Sequence, residues 1–125
     1  MPDIDLEELS RRLGEVAVID VRRPEEYDGS FGAPCDPRQG HIPGAVNLNV
    51  EEMMLLRDDE LRAELGFADG AEVVAYCHSG SRSAMAVQIL RQLGYNARNY
   101  PGSWHEWSRT ELPCESGEPE CGEPE

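Results

Sequence analysis

The sequence predicts an α/β fold with a parallel sheet, and three observations support this prediction. Short apolar runs rich in β-branched residues alternate along the chain with segments of helical spacing. Polar, chemically reactive residues follow the ends of two of these runs, as they do at the carboxyl edge of a parallel sheet. The 125 residues leave room for one domain with a real core. We therefore expect one layered α/β domain over residues 1–112.

The first predicted element is a helix that begins after Asp5. Asp5 is a suitable N-terminal cap and Glu8 follows three residues later, while Ile4 can pack against the first buried turn. One face of this helix is apolar and comprises Leu6, Leu9 and Leu13. Gly14 is suited to end it in a left-handed conformation.

A short apolar strand follows over residues 16–20 and ends in a polar cluster. Asp20 and Arg22 lie at its carboxyl end, where ligands gather in open α/β sheets. Pro24 comes next, at a position that suits the first turn of a second helix. Asp20 and Arg22 are therefore the first candidates for a functional site.

Residues 28–44 form a predicted long loop, because they include four glycines and three prolines. Cys35 lies in this loop, and we interpret it as a loop cysteine while leaving a resolving or redox role open. His41 could act as a base or a metal ligand. We expect a structural histidine instead, because no second ligand stands nearby at metal-binding spacing.

A brief strand over 46–48 and two short helices over 51–56 and 58–65 are predicted next, with Gly66 closing the second helix. The stretch from 73 to 83 then has the strongest functional pattern in the chain. A buried strand leads through a tight loop into a helix, which directs backbone N–H groups and the positive helix end at one point. Cys77 is the first loop residue, so its thiol is expected to ionise more easily than a free cysteine. Gly80 is expected to adopt a positive φ.

The last elements are a long helix that ends at Gly94, a weak edge strand over 95–100, and a final helix that opens near Trp104. From residue 113 onward the chain contains almost no apolar residues, and the motif Gly-Glu-Pro-Glu occurs twice. We predict a disordered acidic tail over 113–125, whose deletion would change stability little. Two further cysteines, Cys114 and Cys121, lie in this tail and make a poor zinc site without histidines.

Composition excludes several function classes. Twenty-five acidic residues against 11 Lys and Arg give a formal net charge of -14, which argues against nucleic acid or an anionic membrane as the partner. No apolar run approaches transmembrane length, and the first residues lack the features of a signal peptide. Four cysteines without such a signal indicate thiol chemistry in a reducing cytoplasm rather than a disulfide framework. The residues indicate no cofactor and no metal site.

Four motifs, in their order and spacing, resemble the rhodanese (sulfurtransferase) family over residues 3 to 112. They are Val18-Ile19-Asp20-Val21-Arg22, Gly40-His41-Ile42-Pro43-Gly44-Ala45-Val46-Asn47, Cys77-x-x-Gly80-x-Arg82-Ser83 and Gly102-Ser103-Trp104-x-Glu106-Trp107. The last is similar to the catalytic half of two-domain thiosulfate sulfurtransferases. The resemblance implies a three-layer fold, with a mostly parallel five-stranded sheet and helices on both faces.

The resemblance also implies a reaction in two half-reactions. Cys77 would take the sulfane sulfur of a donor (thiosulfate, polysulfide or a persulfide) as a persulfide, and cyanide or a thiol would then remove it. A protein persulfide or a thioredoxin-like protein is a possible partner. Loop amides can hold the anionic sulfur. The residues expected to bind substrate are His78, Ser79, Gly80, Ser81, Arg82, Arg22 and Trp104, with Asp20 and His41 as structural support.

Two departures leave alternatives open. Thiosulfate-specific enzymes carry basic residues where this chain has His78, Ser79 and Glu26, so thiosulfate is expected to be a modest substrate. Arg82 either adds positive charge to the site or folds back onto an acid such as Glu26. A non-catalytic module for partner binding or redox sensing is the first alternative function. A phosphatase or arsenate reductase of the same fold is the second, but it needs five residues between its cysteine and arginine, and here there are four.

Overall fold

The computed structural model describes residues 3–30 and 36–115. Within them, four strands form one fully parallel sheet in the order β2-β1-β3-β4. The strands are β1 (Ala17–Asp20), β2 (Val46–Asn47), β3 (Glu72–Tyr76) and β4 (Asn96–Asn99). The predicted α/β class and parallel sheet are confirmed.

Six helices connect and cover these strands in the described residues. They are α1 (Leu6–Arg11), α2 (Pro24–Asp28), α3 (Val50–Leu55), α4 (Asp58–Leu65), α5 (Ser81–Gln92) and α6 (Ser103–Trp107). Among the residues that the structure describes, no helix is long and apolar enough to cross a membrane.

The two faces of the sheet pack into two separate cores, because successive strand residues point to opposite faces. Ile19, Val73 and Ala75 face a core built with α3, α4 and α5. Val74 and Tyr76 face the other core, which contains the buried side of α1 and both tryptophans of α6. Helices therefore cover both faces, as the three-layer prediction requires.

Local capping follows the sequence signals at Asp5 and Gly66, whereas α1 ends at Arg11 with Arg12 as its cap, before the predicted end at Gly14. The Asp5 carboxylate accepts a hydrogen bond from Glu8 N at 2.8 Å and starts α1. Gly66 ends α4 in a left-handed conformation. The helix predicted over 51–56 begins one residue earlier, at Val50, because the Asn49 side chain accepts a hydrogen bond from Glu51 N and caps it.

The predicted five-stranded sheet has four strands in the described residues. The four strands read from the sequence pattern are the four observed, whereas the fifth was implied only by the family resemblance. Contacts of the domain continue past the boundary predicted at residue 112. Glu115 pairs with His41 through two backbone hydrogen bonds, and Trp107 Nε1 donates to Pro113 O at 2.9 Å. Residues 116–125 lie outside the described residues, where the predicted disorder stays a prediction.

The prediction that the cysteines are thiols is wrong for Cys114, which is disulfide-bonded. Its side chain also packs against the core on the α1 and α6 side of the sheet. Cys35 and Cys121 lie outside the described residues. Among the cysteines that the structure describes, Cys77 is a free, buried thiol, as its expected role requires.

Candidate active site

Cys77 lies directly after β3, at the carboxyl edge of the sheet, and opens the short loop that leads into α5. Its residue surface is 1% exposed. The Gly80 N–H donates to Sγ at 3.0 Å, and Ser83 Oγ lies 3.5 Å from the same atom. The backbone N–H groups of Ser79 and Ser83 also favour a charged sulfur at this position, because they lower the pKa of the thiol. The loop therefore concentrates donors on a single sulfur.

These donors determine the ionisation of Cys77. Burial on its own raises the pKa of the thiol, since it penalises the charged form. The Ser83 hydroxyl and the N–H groups of Ser83, Gly80 and Ser79 stabilise the thiolate and outweigh the burial. The pKa of Cys77 consequently lies below its ordinary value, which favours the nucleophilic form near neutral pH.

Gly80 is required by the backbone of the loop. Its φ is +101°, in the region that favours glycine. A Cβ at this position would stand 2.8 Å from Pro101 O and 3.1 Å from Pro101 Cα, both backbone atoms. The turn that directs the Gly80 N–H at the sulfur is therefore compatible with glycine and not with a larger residue.

A second segment, at the start of α6, holds the loop from the other side. Ser103 Oγ accepts a hydrogen bond from Cys77 N at 3.0 Å and lies 4.0 Å from Sγ. Trp104 N donates to Cys77 O and His105 N donates to His78 O, both at 2.9 Å. Ser103 has a φ of +53°, the only positive value among the non-glycine residues described. Such strain is typical of a functional site.

Ser83 and Ser103 were not among the predicted site residues. Ser83 Oγ is 2.6 Å from Asn99 Oδ1 and 3.2 Å from Gly80 O, besides its contact with the sulfur. The hydroxyl carries one proton, so the sulfur and these two oxygens compete for it. Both serines stand inside the motifs quoted above, but no spacing rule indicates that their hydroxyls converge on Cys77.

The two interpretations left open for Arg82 differ in where its charge points. In the structure it pairs with Glu26, with NH1 3.0 Å from Oε1 and NH2 3.4 Å from Oε2. Burial tends to raise the pKa of Glu26, but the hydrogen bonds and charge of Arg82 outweigh it and the pKa is lowered. Arg82 thus fixes the outer wall of the loop against α2.

Arg22 and Trp104 are buried, although the sequence analysis expects them to bind substrate. The Arg22 side chain is 1% exposed and is paired with Asp20, whose Oδ2 is 2.7 Å from NH2. Its guanidinium also packs over the rings of Tyr76 and Trp104. Trp104 is fully buried and donates from Nε1 to Arg38 O. Neither side chain reaches solvent, because both belong to the support beneath the loop.

The remaining predicted residues fall into two groups. Ser79 and Ser81 are exposed and His78 is partly exposed, so these loop side chains can meet a substrate. His41 stacks on Tyr27 with ring centroids 3.7 Å apart, and its Nδ1 lies 2.7 Å from Tyr27 O. Asp20 accepts hydrogen bonds from Tyr76 OH and from Arg22. Both thus make structural contacts below and beside the site.

A cleft of about 400 Å³ opens beside the loop, between α3 and α5. Its wall combines loop residues with exposed methionines and is formed by Arg23, Asn49, Val50, Glu51, Met54, Ser81, Arg82 and Met85. The cleft therefore offers a partly apolar surface next to the loop that follows Cys77.

The rhodanese-like domain model matches residues 5–110. A thiosulfate sulfurtransferase of Corynebacterium glutamicum is 38% identical over 122 residues, covering 84% of this chain and 40% of that protein. A putative mitochondrial thiosulfate sulfurtransferase of Schizosaccharomyces pombe is 43% identical over 98 residues, covering 73% and 62%. The chain thus spans less than two thirds of the length of these relatives.

Solved structures agree with the sequence comparison. A probable thiosulfate sulfurtransferase superposes with a TM-score of 0.80 at 44% identity, covering 90% of this chain and 47% of that chain. An anaerobic ergothioneine biosynthesis enzyme of Chlorobium limicola superposes with a TM-score of 0.82 at 21% identity, covering 91% and 28%. The second likeness concerns the fold alone.

Proposed function

Because the chain belongs to the rhodanese-like domain family, we propose that it is a sulfurtransferase in which Cys77 carries the transferred sulfur as a persulfide. The observation that supports this most directly is the convergence of hydrogen-bond donors on the Cys77 sulfur at the carboxyl edge of the sheet. The relatives named thiosulfate sulfurtransferase agree with the same reaction class.

The reaction proceeds in two steps. The Cys77 thiolate attacks the outer sulfur of the donor, an S–S bond forms, and the donor's own bond to that sulfur breaks. The donor remnant leaves with the bonding electron pair, as sulfite does from thiosulfate. An acceptor nucleophile, cyanide or a thiolate, then attacks the outer sulfur and releases the Cys77 thiolate. Each step exchanges one bond for another, so neither an oxidant nor a reductant is needed.

The loop residues stabilise the charged forms of the sulfur. A persulfide is anionic, and the N–H groups of Ser79, Gly80 and Ser83 hold negative charge at this position. Positioned backbone donors do this without any reorganisation of the site during the reaction. The exposed side chains of Ser79 and Ser81 and the partly exposed His78 then contact the donor.

The charges around the loop favour a donor of low charge. Arg82 is paired with Glu26, so its guanidinium is already largely compensated. Arg22 is buried against Asp20 and does not face the solvent. We therefore expect a polysulfide or a protein persulfide to be a better donor than dianionic thiosulfate. The partly apolar cleft beside Ser81 gives a protein partner, such as a thioredoxin-like acceptor, a surface to approach.

The decisive experiment is an intact mass measurement after incubation with thiosulfate or with polysulfide. The wild-type chain should gain one sulfur atom, which cyanide removes as thiocyanate, and Cys77→Ser should gain none while keeping its circular dichroism spectrum. If the sulfur maps to another cysteine by peptide mass, the assignment of Cys77 is wrong. If no sulfur is taken up from either donor, a non-catalytic module for partner binding or redox sensing is the better description.

A further inference from the structure

Three potential metal ligands lie together beside the catalytic loop. Asp36, His78 and His105 each offer one ligand atom, and these atoms lie within 4.8 Å of one another. The three residues come from separate parts of the chain: the end of the long loop, the position after Cys77, and α6. His78 also belongs to the loop that is proposed to contact the sulfur donor, whereas Asp36 and His105 have no part in that reaction.

Distances within the cluster are short. His78 Nε2 lies 3.0 Å from Asp36 Oδ2, and His105 Nδ1 lies 3.4 Å from Asp36 Oδ1. The side chain of Asp36 is 1% exposed. His78 Nε2 is buried, and its 3.0 Å contact with Asp36 Oδ2 does not have the geometry of a hydrogen bond. A buried imidazole nitrogen left without a hydrogen bond points to a missing ligand, since such groups are normally satisfied.

Arg109 shows that the cluster already attracts a cation. Its NH1 lies 3.1 Å from Asp36 Oδ1 and 3.2 Å from His105 Nδ1, and it also donates to His105 O at 2.6 Å. A guanidinium only donates, so His105 Nδ1 is the acceptor in its contact with Arg109. Arg109 is 39% exposed at its side chain, which leaves it room to move away.

Two imidazoles and one carboxylate suit a divalent transition metal such as zinc. With metal–ligand bonds of about 2.0–2.1 Å, ligand atoms of a tetrahedral site are about 3.3 Å apart. Each histidine lies at a comparable distance from one oxygen of Asp36, 3.0 Å for Oδ2 and 3.4 Å for Oδ1, and one ligand atom from each residue lies within 4.8 Å of the others. The ligand set leaves a fourth position open, and it is softer than the all-oxygen sets that calcium and magnesium require.

We propose that Asp36, His78 and His105 form a binding site for a divalent transition metal, with zinc as the reference ion, and that Arg109 competes with the metal for it. The site ties the catalytic loop to α6, because His78 follows Cys77 and His105 N already donates to His78 O. The proposal does not depend on sulfur transfer, so its test uses a chain that lacks the Cys77 thiol.

The test is a zinc titration by calorimetry on Cys77→Ser and on further variants in that background. Asp36→Asn and His105→Gln should each weaken zinc binding at least tenfold. Arg109→Gln should tighten it, because the competing cation is gone. Asp69→Asn is the matched control, since that side chain is fully exposed and far from the cluster in sequence. Its zinc affinity should equal that of the parent.

The absorption spectrum of the cobalt-bound protein distinguishes metal binding at the proposed site from metal binding by the remaining cysteines. Thiolate ligands give strong near-ultraviolet charge-transfer absorption, whereas two histidines and a carboxylate give only weak visible bands. We expect only the weak bands, and their loss in His105→Gln. The proposal would be overturned if Cys77→Ser bound no zinc, or if Asp36→Asn and Asp69→Asn bound zinc with equal affinity. It would also be overturned if charge-transfer bands appeared and persisted in His105→Gln. Because His105 is about half exposed, its variant should fold even if Asp36→Asn does not.

Discussion

Ser83→Ala tests how the loop activates Cys77, because it removes one donor and leaves the backbone donors in place. Ser83 Oγ lies 3.5 Å from the sulfur but only 2.6 Å from Asn99 Oδ1. If the hydroxyl proton helps to hold the thiolate, the variant should need a higher pH to ionise Cys77. If the proton stays on Asn99, the substitution should leave the ionisation unchanged.

The expected size follows from the geometry. A hydrogen bond to a charged group contributes about 1.5–3 kcal/mol, and this one is long and shared, so we assign it about 1 kcal/mol. That energy lowers the thiolate population about fivefold at a pH below the thiol pKa. A thiolate of higher basicity is also about twofold more nucleophilic, given a Brønsted exponent of 0.4–0.5. The variant should therefore react roughly two- to threefold more slowly at low pH.

The same numbers predict that the two pH profiles cross. Once Cys77 is fully ionised in both proteins, the variant should react about twofold faster, because only the difference in thiolate nucleophilicity remains. The assay is iodoacetamide alkylation from pH 5 to 10, with the adduct at Cys77 quantified by peptide mass. Ser81→Ala is the control, since Ser81 is exposed in the same loop and its hydroxyl is not among the groups that shift the Cys77 pKa. Superimposable profiles for Ser83→Ala and wild type would refute the role given to the hydroxyl.

Three further predictions concern stability, each measured by urea unfolding. Gly80→Ala should lower the free energy of unfolding by about 2–4 kcal/mol, because alanine is strained at a positive φ and its Cβ would clash with Pro101 O. A loss below about 1 kcal/mol would contradict this. Arg22→Met should cost about 3–5 kcal/mol, since it leaves Asp20 buried without its partner; a neutral effect would show that the pair is dispensable. Deleting residues 113–125, expected from composition alone to be nearly neutral, should cost about 1–3 kcal/mol because it breaks the backbone bridge between His41 and Glu115. Both proteins are measured under reducing conditions, so that the disulfide of Cys114 does not contribute; an unchanged midpoint would restore the original expectation.

Much of the fold could be read from the sequence, because its signals are local. Short continuous apolar runs and helix caps such as Asp5 depend on neighbours within a few residues, and they placed the four strands and most helix ends close to their observed positions. Docking of residues 113–115 could not be read in this way. Their attachment depends on the backbone of His41, which is remote in sequence, and composition carries no signal for such a pairing.

The site was predictable where one loop forms it and not where distant residues complete it. Cys77 and the positive φ of Gly80 follow from a strand, a tight loop and a helix in succession. Arg22 was misassigned because a charged residue at a strand end looks like a ligand, whereas a buried carboxylate two residues earlier takes up its charge. The cluster of Asp36 and His105 depends on how the long loop and α6 pack, which residue spacing does not show.

The dimensions of the loop explain why it suits sulfur rather than phosphate. Its donors, from Ser79, Gly80 and Ser83, all point to one atom, the sulfur of Cys77. A bound phosphate would present several oxygens, each of which needs its own donor. Four residues separate Cys77 from Arg82, and the arginine is directed to Glu26 instead of closing a ring of donors. The three donor residues can therefore stabilise the single negative charge of a thiolate or of the proposed persulfide, whereas a tetrahedral oxyanion would need donors for several separate oxygens.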